Sequence, residues 1–393
     1  MKKFLFTIYL CYAILGLCSP IVTSIWPEIS KEFAVSASFL GLAVTINYLA
    51  SGFSSLVTFM VRKKLGTNYT NVFGLSFFVI GLIIFANLRN PIMIIIAMAI
   101  LGLGNGFVDT NSNSYVVKAY DAKWVSLMHS CWGLASSVGP IIMSVAIVYT
   151  SSYRNGFKFV LAIIVITIIL LLYLKQNWIK QREHIDKDVL ALHSVTEEEK
   201  NSDIKMIDVL KMKGVLRMLF CFTFANGSSC AVYAWLATIM VATRGISVVE
   251  GATAVSIYLF SLTIGRIVMG FVADKIGIDK SVKFLAFVGT LFVYALFIPY
   301  KSLGLIYLNS AVLGFMSGPT IPLLTADLKN KFDKKMLGEL VSFAGVFGLL
   351  GVASLSALMT LASTVLSINY IHIIPAIGST LLCILYSSLE TNK

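Results

Sequence analysis

Charge is scarce in this chain. Only 13% of its 393 residues are Asp, Glu, Lys or Arg, about half the roughly 25% of a soluble chain, which excludes an ordinary water-soluble enzyme. Acids are the scarcer sign, 19 against 31 basic residues. Close cysteine spacing is missing too. Cys11, Cys18, Cys131, Cys221, Cys230 and Cys383 all fall in apolar runs, which argues against a disulfide framework or a zinc site and leaves them as small apolar residues. No GxxxxGK[ST] loop is present to hold ATP, no HExxH or paired-carboxylate constellation suggests an enzyme, and no filter-like repeat suggests a channel. Neither a cofactor nor a metal is expected. No basic stripe with stacking aromatics accompanies the net charge of +12, so nucleic acid is not an expected partner.

Apolar residues are what the chain has in abundance: 58% of the total, with a mean hydropathy of +0.86. A membrane-spanning helix takes about 20 apolar residues. Twelve such stretches are read, at roughly 4–25, 36–60, 71–88, 91–118, 125–149, 154–176, 214–242, 249–274, 280–299, 303–326, 337–363 and 368–388. The first is too long for a signal peptide and is kept as a helix. The expected fold is an all-α integral membrane protein of twelve transmembrane helices. The polar segment 177–212, with Glu197, Glu198, Glu199 and Lys200, reads as a linker between an N-terminal six-helix bundle (1–176) and a C-terminal one (213–393), the layout of a transporter built from two pseudo-symmetric halves. The loops after spans 2 and 8 echo each other, FMVRKKLG (Phe59 to Gly66) and GFVADKIG (Gly270 to Gly277).

Basic residues alternate from loop to loop. Lys2, Lys3, Arg62, Lys63, Lys64, Lys118, Lys123, Lys275, Lys280, Lys283, Lys329, Lys331, Lys334, Lys335 and Lys393 collect on one side, while Lys31, Arg89, Arg154, Lys158, Arg244 and Lys301 hold the other. The positive-inside rule then places both termini in the cytoplasm of a multi-pass protein, expected in a bacterial inner membrane as a monomer, with the surplus positive charge meeting anionic lipid.

Polar residues inside spans are costly and therefore informative. Span 4 reads LGLGNGFVDTNSNSYV (Leu101 to Val116), and Asp109 is read as the only acid well inside a span, at a cost of about 2.5–3.5 kcal/mol if ionised. Asn105, Asp109 and Asn113 recur every four residues and form one polar ridge. Gly102, Gly104 and Gly106 keep that helix thin, for close packing or for a substrate's approach. In span 5, His129 is either a titratable site or a helix–helix hydrogen bond, and Trp132 is either a platform for a flat solute or a packing residue. Trp235 in span 7 is expected to join them around one continuous cavity. Asn47, Tyr48, Tyr12 and Asn226 are weaker candidates for substrate contact.

Arg266 lies eight residues, about 12 Å, before Asp274 along span 8. Two readings stand: a substrate or counter-ion role, and an Arg reaching back towards a structural network with Asp274. Span 10 carries GFMSGPTIPLL (Gly314 to Leu324), in which Pro319 and its neighbours must break the hydrogen-bond ladder, as suits a moving gate.

These residues resemble the major facilitator superfamily over essentially the whole chain. GRIVMGFVADKIG, with Gly265, Gly270, Asp274, Lys275 and Gly277, is similar to the superfamily's loop pattern G-x-x-x-D-R/K-x-G, whose residues hold adjacent helices together. The first-half copy has Phe59 and Lys63 in place of the Gly and the Asp. Within the superfamily the fucose:proton symporter branch is the nearest likeness. Asp109 and Asn113 match its span 4, and His129, Gly133, Gly139 and Pro140 match its span 5, with Ala135 at one Gly position; Gly227 and Trp235 match its span 7, with Ser229 at an acid's position. The resemblance implies secondary transport of a small polar solute, a sugar or polyol, coupled through Asp109 and His129 to protons, with Na+ as the alternative ion. Drug:proton efflux ranks second: Gly139 and Pro140 fit its span 5 signature, whereas Ala135, Met143 and Ser144 depart from it. A non-transporting scaffold or sensor ranks third.

Overall fold

Prolines and glycines decide where the long apolar runs break. The computed structural model describes residues 2–119, 122–174, 210–332 and 337–389. α1 (Lys2–Cys18) stops before Pro20, which has no N–H to offer the Gly16 carbonyl; Ser19 N takes that carbonyl instead, at 3.2 Å. Short α2 (Ile21–Ser24) and α3 (Trp26–Phe33) follow, so the expected straight first span is bent near its end. Then come α4 (Ala37–Leu65), α5 (Thr67–Ala86), α6 (Pro91–Ala119), α7 (Ala122–Thr150) and α8 (Tyr153–Tyr173). The second half holds α9 (Val215–Arg244), α10 (Val248–Ile276), α11 (Ile278–Ala295), α12 (Leu303–Ser317), α13 (Thr320–Lys331), α14 (Leu337–Val365) and α15 (Ile373–Ser387).

Ten runs are long and apolar enough to cross a bilayer, counting the bent α1–α2 and α12–α13 as one each. α11, with Asp279, Lys280 and Lys283 in its first turns, and the 15-residue α15 pack among them and complete twelve passes. The fold is the all-helical, twelve-pass architecture expected from the sequence. The proposed linker lies outside the described residues except for 210–212.

The sequence echo between the halves has a backbone counterpart. Gly66 ends α4 at φ +80° and Gly277 ends α10 at φ +92°, values that favour glycine, and their amides close the last turns on the Arg62 and Ala273 carbonyls. We call the end of the molecule that carries these two turns the basic face.

Within the first half α6 lies against α4 and α5, and α7 against α1 and α8. The approach is close because Gly102 and Gly106 of α6 meet the Asn47 and Ser51 carbonyls, leaving no room for a Cβ. The second half repeats the plan, with α9 against α14 and α15 and α10 against α12, where Gly314 and Gly265 meet the Tyr258 and Phe315 carbonyls. The halves touch along α7–α10, at Gly133 and Thr263, and along α4–α14, at Gly41 and Thr360. Away from the basic face, α2 and α3 also cover α9. Large apolar side chains such as Leu56, Ile166 and Leu361 point outward, which a lipid solvent tolerates and water would not.

Candidate functional site

The ridge of α6 turns towards α1 and α7. Tyr12 of α1 donates its hydroxyl to Asp109 Oδ1 at 2.7 Å, and Asn113 Nδ2 donates to the same oxygen at 2.9 Å and to the Tyr12 hydroxyl at 3.0 Å. His129 of α7 completes the group, its Nδ1 at 3.2 Å from the Tyr12 hydroxyl and its ring edge-on to Tyr12 at 5.2 Å. Asp109, Asn113 and His129 are half-buried, and Tyr12 is buried. Tyr12, a weaker candidate on sequence, is thus the hub.

This geometry can relay a proton. Beside an ionised Asp109, the Tyr12 O–H points at the carboxylate and His129 can donate from Nδ1. If Asp109 takes a proton, its own O–H can serve Tyr12, whose hydroxyl then turns to His129 Nδ1. One hydroxyl reversing direction couples the acid to the imidazole. Among the described residues, no cation pairs with Asp109; both of its bonding partners are neutral.

Arg266 approaches the same region from the other half. Pro322 has no N–H for the Gly318 carbonyl, which would otherwise close a helical turn, and Arg266 Nε takes that carbonyl at 3.0 Å. The break between α12 and α13 is therefore filled by α10, whose Gly265 allows the close approach. The Arg266 guanidinium also lies 5.9 Å from the centre of the Trp132 ring, so α7 contributes both His129 and, one turn on, Trp132. The expected network with Asp274 does not form: Arg266 faces the junction of the halves, whereas Asp274 is exposed at the basic face.

A cavity of about 50 Å³ lies next to this cluster, between α1, α2, α4, α6 and α9. Its polar lining is Ser19, Thr23, Asn47, Tyr48, Asn105 and Tyr233, and its size admits a few waters rather than a sugar ring. Tyr48 and Tyr233 meet across the halves, hydroxyl to hydroxyl at 3.2 Å, and so bound the cavity. A half-buried acid bonded to neutral partners and a small polar chamber thus lie close together where the two helical halves meet.

A model of the Major Facilitator Superfamily matches residues 8–277 and, in a second match, 218–392. The chain belongs to that superfamily. Members of the superfamily are membrane transporters rather than enzymes, so this is a multi-pass transport protein with a small-molecule substrate. The Fosmidomycin resistance protein of Escherichia coli (strain K12) is 21% identical over 364 residues, which cover 91% of this chain and 86% of that protein.

Of the six residues expected to border one continuous cavity, only Asn105 is among those lining the chamber of this superfamily member. Asn47 and Asn105 line the chamber, Asn47 also donating to the Met98 carbonyl at 2.8 Å. Asp109 and Asn113 follow Asn105 by one and two turns of α6 towards the basic face and meet Tyr12 and His129, while Trp132 lies against Arg266. Trp235 is fully buried in the core, while Tyr233, two residues earlier and so on the other side of α9, reaches the chamber. Asn226 bonds the Gly348 carbonyl of α14 at 3.3 Å and acts between helices. Gly139 packs on the Leu17 carbonyl next to Pro140, and Pro319 marks the α12–α13 break. Gly270, Asp274 and Lys275 are exposed, and only Gly277 of that motif has a conformational task.

Asp109 is not the only acid inside the helices. Asp327 of α13 is 1% exposed and accepts from Tyr386 at 2.7 Å and Asn330 at 3.1 Å, with Lys331 Nζ at 3.6 Å. Lys331, expected in a loop, is buried and also bonds Asp279 at 3.1 Å, which pairs with Lys283 at 2.6 Å. α13 runs one and a half turns further than expected and carries these charges inside. The signal was available: an Asp and a Lys spaced i, i+4 directly after a proline-broken helix.

Proposed function

We propose that this protein is a proton-coupled secondary transporter of a small polar solute, working by alternating access. The observation that carries the reading is the Asp109–Tyr12–Asn113–His129 cluster: a desolvated acid with neutral partners, on the helix that also lines the inter-half chamber. An ionised Asp109 resists closure into a drier site, and a protonated one permits it. Two bundles, 1–176 and 213–393, would rock about the α7–α10 and α4–α14 contacts, with the basic face and both termini in the cytoplasm. Asn105, Asn113 and Asn47 supply hydrogen bonds to the solute.

Purified protein in vesicles with an imposed pH gradient tests this. Asp109→Asn should abolish gradient-driven accumulation while leaving solute exchange intact. Accumulation unchanged in that variant would refute the coupling.

A second reading, export of a toxic compound against a proton gradient, is supported by the likeness to a protein named for fosmidomycin resistance. It is favoured over a sugar carrier, for which the small chamber offers no specific support. Loss of compound from loaded vesicles on acidifying the opposite side would identify export.

A further inference from the structure

Arg266 is a cation placed deep between the halves with no acid upon it. Its Nε–H is given to the Gly318 carbonyl, and among the described residues that is its only hydrogen bond. Trp132 lies on one side of it, and Tyr12, His129, Cys230 and Tyr258 are close enough to feel its charge. None of these carries a fixed negative charge. Ser229, bonded to Tyr258 at 2.9 Å, is equally neutral, and Asp109 is turned to Tyr12 and Asn113.

A tether to one carbonyl needs only a neutral donor. A guanidinium inside a span is costly to insert, and four N–H groups on Nη1 and Nη2 remain without a hydrogen-bond partner among the described residues. With Nε occupied, those two nitrogens present a planar pair of parallel donors, the arrangement that grips a carboxylate or a phosphoryl oxygen pair in bidentate fashion. The Trp132 ring restricts the guanidinium from one side.

We infer that Arg266 anchors a small organic oxyanion, and that the transported solute carries a carboxylate, phosphate or phosphonate group. The inference rests on the transport reading above and narrows its solute. Charge summation supports it: with Asp109 protonated the junction holds one uncompensated positive charge, which an oxyanion neutralises, a sugar leaves bare and a cation doubles. Trp132 is then a wall of the anion site rather than a sugar platform.

The test is a thermal-shift measurement on the full-length purified protein at constant ionic strength. The probes are propionate, benzoate, methylphosphonate and phenylphosphonate, with propionamide, benzamide, glucose and tetraphenylphosphonium as neutral and cationic counterparts. At least one oxyanion should raise the melting temperature saturably, and the carboxylate and phosphonate arms tell which group is preferred. Arg266→Gln should weaken that apparent affinity by at least about 30-fold, the consequence of removing one partner of a buried charge pair. Arg266→Lys keeps the charge but loses the planar fork, and should weaken it by about tenfold. Where Arg266→Gln does not fold, Arg266→Lys decides.

Shifts produced only by neutral or cationic probes, by no probe at all, or by oxyanions with affinity undiminished in the variants would overturn the inference. Vesicle uptake separates the two levels. Asp109-dependent accumulation of neutral solutes without oxyanion binding sinks the anion site and leaves coupled transport standing, whereas oxyanion binding at Arg266 without accumulation of any bound probe does the reverse.

Discussion

Asp109 and Asp327 are both acids held inside helices, yet their surroundings differ in kind. Asp109 is half-buried among neutral donors, Tyr12 and Asn113. Asp327 is 1% exposed and has Lys331 beside it, with Tyr386 and Asn330 satisfying its oxygens. A carboxylate with neutral donors can gain and lose a proton without breaking an ion pair, whereas one locked to a buried lysine cannot. The first suits coupling, and the second fastens α11, α13 and α15 together at the basic face. Burial alone therefore does not mark a functional acid; the charge of its partners does.

The largest effect should come from breaking the second arrangement. Lys331→Met removes the cation and leaves Asp327 buried without it, which costs about 3–5 kcal/mol. Thermal unfolding in detergent should show the loss. Asp327→Asn combined with Lys331→Met removes both charges and should recover most of it. If the single variant melts like the wild type, Asp327 and Lys331 are not an energetically coupled pair and the contrast with Asp109 collapses.

Most of the architecture was legible because a bilayer leaves so few choices. Long apolar runs must be helices there, and Gly66, Gly277, Pro20 and the Gly318–Pro322 stretch mark where they end or bend. The polar ridge of α6 was legible for the same reason, since Asp109 and Asn113 are expensive to insert. Pairing between distant helices was not. Nothing in local spacing says that Tyr12, 97 positions before Asp109 in the chain, supplies the central hydroxyl, or that Arg266 meets Trp132 rather than Asp274. Lys331 was misplaced because a charge near a span's end normally goes to water, and only Asp279 and Asp327, brought in from α11 and α13, make it worth burying.

A smaller effect sharpens the Asp109 side of the contrast. Tyr12→Phe keeps the ring against His129 and deletes the hydroxyl that links acid to imidazole. A hydrogen bond to a charged group contributes about 1.5–3 kcal/mol, so gradient-driven accumulation should fall by roughly tenfold or more. Thermal stability should fall by no more than that amount, and exchange should change little. Equal loss of exchange and accumulation would mean that Tyr12 serves solute binding or folding rather than the proton.

The smallest effect comes from a third acid that repeats the chemistry of Asp327 in water. Glu32 of α3 pairs with Arg154 at 2.5 Å and accepts from Tyr153 at 2.5 Å, the same combination of acid, base and tyrosine, but its side chain is 36% exposed and that of Arg154 29%. The Arg154 hydrogen bond holds the Glu32 carboxyl below its usual 4.5; burial opposes it, and the Tyr153 hydroxyl and the Arg154 charge add to the lowering. A depressed folded-state value means that the pair stabilises the protein above about pH 4.5 and that this contribution fades as pH falls through the folded value. Solvent screening limits it to about 0.2–1 kcal/mol. Glu32→Gln should therefore lower the melting temperature slightly at pH 7 and by progressively less as the pH falls below about 4.5, against the several kcal/mol of Lys331→Met. A loss as large as that of Lys331→Met would show that burial is not what separates the two networks.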